Sequence, residues 1–124
     1  MSKKKNSELS NKLADVAVFG MQEKKASEIV KMDMREVNAT LSDYFVVCNA
    51  DSNVQVNAIA KSVEEEVYKA FGQDVWHKEG HANGEWILLD FVDVVVHIFK
   101  TEARSRYRIE DLWGDAKVES FQSA

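Results

Sequence analysis

The sequence has no proline, one cysteine and five glycines in 124 residues. Because Cys48 is alone, an intrachain disulfide and a cysteine-based zinc site are excluded, and a reducing compartment, the cytoplasm, is expected. The glycines form neither a G-x-G-x-x-G pattern nor a P-loop, so no phosphate-binding loop is predicted. The absence of proline leaves no obvious linker, which favours one folded unit.

Long apolar runs are also absent. The longest, around Val94 to Val96, is far shorter than the roughly 20 residues of a membrane helix. Lys3, Lys4 and Lys5 resemble the start of a signal peptide, but polar residues follow where its apolar stretch would stand. We therefore expect no membrane segment and no export. The same lysines leave direct RNA binding open as an alternative function.

Acidic residues outnumber basic ones, 21 to 16, and the formal net charge is −5 at pH 7. This balance disfavours binding to bare nucleic acid, because such binding depends on neutralising phosphates. It is compatible with a basic protein partner. Apolar residues make up 45% of the chain and charged residues 30%, which are the proportions of an ordinary globular domain.

Two stretches have the apolar spacing of amphipathic helices. The first follows Ser7, and the second runs from Val56 to Phe71. Asp51 or Ser52 can cap the start of the second helix, and Gly72 lies just past its end. These features predict two long helices.

Five short β-favouring runs lie between and after the helices. The last two are close together, which predicts an antiparallel hairpin, and Thr101 beyond them can cap a final short helix. The order of elements predicts an α/β (α+β) domain with a mixed five-stranded sheet and helices mainly on one face. The predicted strands lie around residues 29–34, 44–48, 75–78, 86–91 and 93–99.

Side-chain parity divides the predicted hairpin into two faces. One side is entirely apolar and is expected under the helices. The other mixes large apolar side chains with titratable ones, which is typical of a protein interface with a polar rim. We interpret it as a docking surface, the alternative being that the short C-terminal helix covers it. Its residues are Trp86, Leu88, Asp90, Asp93, Val95, His97 and Phe99.

Two other motifs could bind a metal ion. His77, Glu79 and His81 form H-x-E-x-H, but glycines interrupt the helix that metal binding at this spacing requires, so a solvated loop is favoured and no metal site is predicted. Asp90 and Asp93 could hold magnesium in a nucleotidyltransferase. Because the phosphate-binding loop is missing, turn residues that close a hairpin are the simpler interpretation.

Several strings carry a family resemblance through their order. They are DYFVVC at residues 43–48, WILLDF at 86–91 and DVVVHIF at 93–99, followed by Arg106-Tyr107 and Leu112-Trp113. Singly they are ordinary, but in this combination the chain closely resembles the ribosomal silencing factor family, also called RsfS or Iojap. The resemblance covers about residues 8–113, which we take as the single domain. Residues 1–7 are then expected to be a flexible basic tail, and residues 114–124 a C-terminal tail.

The resemblance implies a nucleotidyltransferase-like fold without the catalytic motif, no enzymatic activity and no cofactor. It implies binding to large-subunit ribosomal protein fourteen, which prevents the small subunit from joining and represses translation under nutrient limitation, and often a homodimer when the protein is free. Trp86 and Phe99 would be apolar anchors, and Asp90 and Asp93 would pair with basic side chains of the partner. The implied partner-binding residues are Trp86, Asp90, Phe91, Asp93, His97 and Phe99.

One departure from the family pattern concerns the hairpin turn. The family usually has a glycine where Val92 stands. A β-branched residue tolerates positive φ poorly, so the turn is expected either to differ in conformation or to bear strain.

Overall fold

The computed structural model describes residues 3–37, 42–80, 84–112 and 114–123. Helices separate groups of one to three strands along the chain, and a pair of short helices lies near the C-terminus. In order, the elements are α1 Lys3–Glu23, β1 Ser27–Asp33, β2 Tyr44–Ala50, α2 Asn53–Phe71, β3 His77–Gly80, β4 Trp86–Asp90, β5 Val94–Lys100, α3 Thr101–Tyr107, α4 Ile109–Leu112 and β6 Lys117–Phe121.

One mixed sheet with the strand order β3-β4-β5-β2-β1-β6 organises these elements. The central strands β2 and β5 are parallel, with Tyr44 opposite Val94 and Ala50 opposite Lys100. The outer pairings are antiparallel, including the predicted β4–β5 hairpin. The mixed α+β architecture is thus confirmed.

The sheet has six described strands rather than the five that were predicted. The additional strand β6 pairs antiparallel with β1 and lies in the segment that was expected to be a C-terminal tail. Its residues are exposed except for Phe121, which is partly buried and packs against the core. The strand therefore lacks the apolar alternation by which a half-buried strand is recognised. At the other end of the chain, α1 already begins at Lys3, within the segment expected to be a tail.

Helices α1 and α2 pack against one face of the sheet and against each other. Their backbones approach most closely at Gly20, where a Cβ atom would lie 2.9 Å from Cα of Val63. The hydroxyl of Ser62 donates a hydrogen bond to the carbonyl of Gly20 at 2.7 Å. No side chain other than hydrogen fits at residue 20 without moving one helix away from the other.

The ends of α2 agree with the sequence-based expectation. The hydroxyl of Ser52 accepts the backbone N–H of Gln55 at 3.1 Å, and Gly72 ends the helix with a φ of 64°. The expected cap of α3 is different. Lys100 is the N-cap and makes no side-chain capping bond, whereas the hydroxyl of Thr101 donates to Asp51 at 2.7 Å. The capping prediction for Thr101 is therefore wrong, because that side chain ties α3 to the loop after β2.

The second face of the sheet is less bare than expected. A second apolar cluster lies there, and Ala103 of α3 and Ile109 of α4 pack into it. The short helices thus cover part of the face on which no long helix was predicted, and several strand residues on that face are buried. None of the helices in the described ranges is long and apolar enough to cross a membrane.

Candidate functional site

Three aromatic rings meet on the second face of the sheet. Trp86 of β4 lies opposite Phe99 of β5 in the strand register, and their rings stack with centroids 5.1 Å apart. The ring of Tyr107, at the end of α3, lies 4.9 Å from that of Trp86. Phe99 is fully buried, Trp86 is half-buried and Tyr107 is 40% exposed. Phe99 therefore supports the other two rings, which face outward.

Two contacts, one to β2 and one to the residue before β4, hold α3 against the sheet and so place Tyr107 beside Trp86. The guanidinium of Arg104 donates to the side-chain oxygen of Asn49 at 2.8 Å. The guanidinium of Arg106 forms an ion pair with Glu85 at 2.9 Å. We call Trp86, Leu88 and Tyr107 the aromatic patch; Leu88 follows Trp86 on the same side of β4 and is also half-buried.

His97 lies beneath the aromatic patch and is 4% exposed. Its Nδ1 accepts the indole N–H of Trp86 at 3.3 Å, and its ring meets Phe45 edge-on with centroids 4.9 Å apart. Burial lowers the pKa of His97 to about 3, so the imidazole is neutral at physiological pH. Because Nδ1 accepts a hydrogen bond, the proton of the neutral ring is on Nε2.

Two carboxylates lie at the end of the hairpin next to the patch. Asp90 is half-buried, and its Oδ1 accepts the backbone N–H of Val92 at 2.7 Å. Asp93 is exposed, but its pKa is raised, mainly by partial burial of the carboxyl group and to a smaller extent by repulsion from Asp43. Asp90 thus closes the turn, as the sequence indicated, while Asp93 keeps a carboxylate available at the surface.

The turn between the strands bears the strain expected from its sequence. Val92 has a φ of 78°, a region that β-branched residues rarely adopt. Its carbonyl accepts a hydrogen bond from the hydroxyl of Ser42 at 3.3 Å. The backbone N–H of Asp43 donates to the carbonyl of Asp93 at 2.7 Å. The segment just before β2 therefore holds the turn in place through the carbonyl groups of Val92 and Asp93.

The six predicted binding residues fall into two groups. Trp86, Asp90 and Asp93 are wholly or partly accessible. The other three are buried, so their side chains cannot contact a partner directly in this conformation, which corrects the expectation that all six form the surface. Phe91 packs in the cluster under α1 and α2, whereas His97 and Phe99 support the patch from below; these three are 2%, 4% and 0% exposed.

Tyr107 is the surface residue that sequence reasoning missed as a site residue. It belongs to the strings that carry the family resemblance, but side-chain parity assigns faces only to the hairpin strands. Its position beside Trp86 depends on how α3 folds back over the sheet. The available signal was an aromatic residue in the predicted final short helix, close in sequence to the hairpin; its exposure is known only from the structure.

The other predicted motif, H-x-E-x-H, lies partly on the edge strand β3. His77 and Glu79 are exposed on this strand, with Nε2 and Oε1 3.5 Å apart, and His81 lies outside the described residues. Because the segment is extended, the helical i, i+4 geometry does not apply. Among the residues that the structure describes, no group of three His, Cys, Asp or Glu side chains is arranged to hold a metal ion.

Comparisons with known proteins give a consistent result. The family described as "Ribosomal silencing factor during starvation" matches residues 7–124. A ribosomal silencing factor RsfS from Bacillus subtilis is 38% identical over 103 residues, covering 83% of this chain and 86% of the relative. Another, from Halalkalibacterium halodurans, is 36% identical over 107 residues and covers 86% and 90%. A crystal structure of a protein from Chromobacterium violaceum superposes with a TM-score of 0.77 at 36% identity, covering 84% of this chain and 85% of that one.

Proposed function

Because this chain belongs to the RsfS family of ribosomal silencing factors, we propose that it represses translation by binding ribosomal protein fourteen of the large subunit. Bound there, it keeps the small subunit from joining when nutrients are scarce. Such a block requires only a rigid body at the joining surface, so it needs neither catalysis nor a cofactor. We further propose that the protein acts in the cytoplasm and without direct contact with RNA.

The aromatic patch is the observation that best supports this proposal. Trp86 and Tyr107 offer two adjacent, partly exposed rings on a rigid sheet, and aromatic side chains of this kind supply most of the binding energy in many interfaces. Phe99, which supports both rings, is fully buried beneath them, so this part of the surface is packed before any partner binds. A partner would therefore meet a preformed surface and lose little side-chain freedom in binding it.

Charge indicates the kind of partner that fits beside the patch. Asp93 lies exposed at the end of the hairpin, and the whole chain carries a net charge of −5. A basic protein would gain attraction from both, which raises the association rate and selects against acidic competitors. Ribosomal proteins that contact RNA need basic surfaces for that purpose, so a ribosomal partner fits this charge.

The direct test is binding of the purified chain to ribosomal protein fourteen alone, followed in parallel with large subunits that contain or lack that protein. The proposal predicts binding to the isolated protein and to complete subunits, and little binding to subunits that lack it. Equal binding to both kinds of subunit would exclude this partner and favour the RNA alternative. A homodimer of the free chain, which rests on the family resemblance alone, is tested separately by light scattering at several concentrations.

A further inference from the structure

The two nitrogens of His97 have different surroundings. Nδ1 accepts the indole N–H of Trp86, whereas Nε2 is buried and has no hydrogen-bond partner among the described residues. A buried N–H group without a partner destabilises the folded state. If residue 97 only filled space, an apolar ring of similar size would avoid this cost. The presence of histidine therefore indicates that the acceptor at Nδ1 has a use.

The imidazole of His97 is held firmly enough to orient a neighbour. Phe45 meets it edge-on at an interplanar angle of 63°, and Phe99 lies nearly parallel to it at 9°, with centroids 6.3 Å apart. Its backbone is in the central part of the sheet, opposite Val47 of β2 and Leu88 of β4. Because the ring is neutral and surrounded by packed side chains, its acceptor has a fixed position.

We propose that His97 is a positioning residue of the docking surface, whose buried Nδ1 holds the indole of Trp86 in the orientation that a protein partner binds. The inference rests on the proposed function, since it assigns a cause to the geometry of that surface. With its N–H satisfied inside the protein, the indole presents carbon atoms to the partner. Its rotamer is also selected before binding, which lowers the entropic cost of association.

Two substitutions of His97 separate orientation from packing. His97→Phe keeps an aromatic ring and removes both nitrogens. It eliminates the unpaired N–H of residue 97 but also removes this acceptor of the Trp86 indole N–H, so stability should change little. His97→Asn is smaller, but its side-chain oxygen can lie near the position of Nδ1 and accept the indole N–H. A role in packing alone predicts that binding follows stability, whereas a role in positioning predicts that the two diverge.

The first readout is the indole N–H resonance of Trp86 in the ¹⁵N-labelled full chain, with the indole of Trp76 as the internal reference. The second is affinity for purified large subunits. We expect His97→Phe to move the Trp86 resonance but not that of Trp76, and to weaken binding about tenfold. His97→Asn should restore part of both. In a Trp86→Phe background, which has no indole N–H, His97→Phe should cause no further loss.

The proposal is overturned if the Trp86 resonance stays in place in His97→Phe, or if the folded variant binds as tightly as the wild type. An equal loss of affinity in the Trp86→Phe background would also overturn it. Should the wild-type chain not bind large subunits at all, the proposed function fails. The resonance shift then still reports whether His97 and Trp86 are coupled, so the two failures are distinguishable.

Discussion

The ring of Trp86, on strand β4, lies 4.9 Å from the ring of Tyr107 at the end of α3. The two residues come from different elements and meet because α3 turns back over the hairpin, where Arg106 pairs with Glu85. Their contact makes one continuous aromatic surface from a strand and a helix. Both Trp86 and Tyr107 should therefore be needed for partner binding.

Replacement of Trp86 by alanine should weaken binding to large subunits by about 2 kcal/mol or more, because a central aromatic anchor is lost. Tyr107→Ala should also weaken binding to large subunits, with less disturbance of the core because Tyr107 is 40% exposed. Co-sedimentation of each variant with purified large subunits measures the loss. Circular dichroism establishes that each variant is folded.

The matched control for Trp86→Ala is Trp76→Ala. Trp76 is 71% exposed and lies just before the edge strand β3, where its backbone N–H donates to the carbonyl of Asp90 at the opposite end of β4 from Trp86. Its removal should leave binding unchanged. If Trp76→Ala weakened binding as much as Trp86→Ala, the docking surface would be in the wrong place.

Replacement of Asp93 by asparagine should stabilise the protein at neutral pH while weakening its binding. Partial burial and Asp43 raise the pKa of Asp93, so the charged form is disfavoured in the folded state and opposes folding above that pKa. Removal of the charge should raise the free energy of unfolding at pH 7 by less than about 1 kcal/mol, since the group is exposed. The gain should disappear below the ordinary pKa of aspartate, where the carboxyl is protonated in both states. Urea unfolding at several pH values measures it.

Asp33→Asn is the control of opposite sign. Hydrogen bonds from Arg35 hold the pKa of Asp33 below its ordinary value. The carboxylate therefore adds stability above the ordinary aspartate pKa, and this contribution is lost as the pH falls through the folded-state pKa. Asp33→Asn should destabilise the protein at pH 7. A gain of stability in Asp33→Asn at pH 7, or a loss of stability in Asp93→Asn at that pH, would contradict the directions of these two pKa shifts.

Replacement of Val92 by glycine should relieve the strained hairpin turn. Val92 has a φ of 78° and is exposed, so the substitution removes few packing contacts. Relief of strain exceeds the entropy that glycine adds to the unfolded chain, and a gain of up to about 1 kcal/mol is expected. The midpoint of urea unfolding measures it. The control Val118→Gly, at a similarly exposed valine in β6, should reduce stability. If both variants were less stable than the wild type, Val92 would not be strained in the hairpin turn.

Replacement of Gly20 by alanine should separate α1 from α2. The added Cβ would lie 2.9 Å from Cα of Val63 and 3.2 Å from the carbonyl oxygen of Ser62, both of which are backbone atoms. Overpacking of this kind costs about 1–3 kcal/mol. Gly80→Ala is the control, because its nearest contact is a side-chain carbon of Ile87 at 3.7 Å. Thermal unfolding should show a lower midpoint for Gly20→Ala only.

Local patterns were sufficient to predict much of this fold. The periodicity of α2, its cap at Ser52 and its end at Gly72 are short-range features, and the structure reproduces them. The β4–β5 hairpin followed from two apolar runs with a short connection. Strand β6 did not follow, because an exposed edge strand is defined by its pairing with β1 rather than by its own composition.

The candidate site was predictable only in part for the same reason. Parity correctly assigned Trp86 and Asp90 to one side of β4, where both are half-buried. Parity cannot show how deeply a side chain lies, so it could not reveal that His97 and Phe99 are buried under other rings. The position of Tyr107 depends on contacts between α3 and distant residues, which no local pattern encodes.

Steric exclusion of the small subunit is tested most directly by a subunit-joining experiment. Purified small and large subunits are mixed under joining conditions with the wild-type chain, with Trp86→Ala or with neither, and are resolved on a sucrose gradient. The wild-type chain should leave the subunits apart, and the Trp86→Ala variant should allow complete ribosomes to form. Formation of complete ribosomes despite wild-type chain bound to the large subunit would contradict the proposed mechanism.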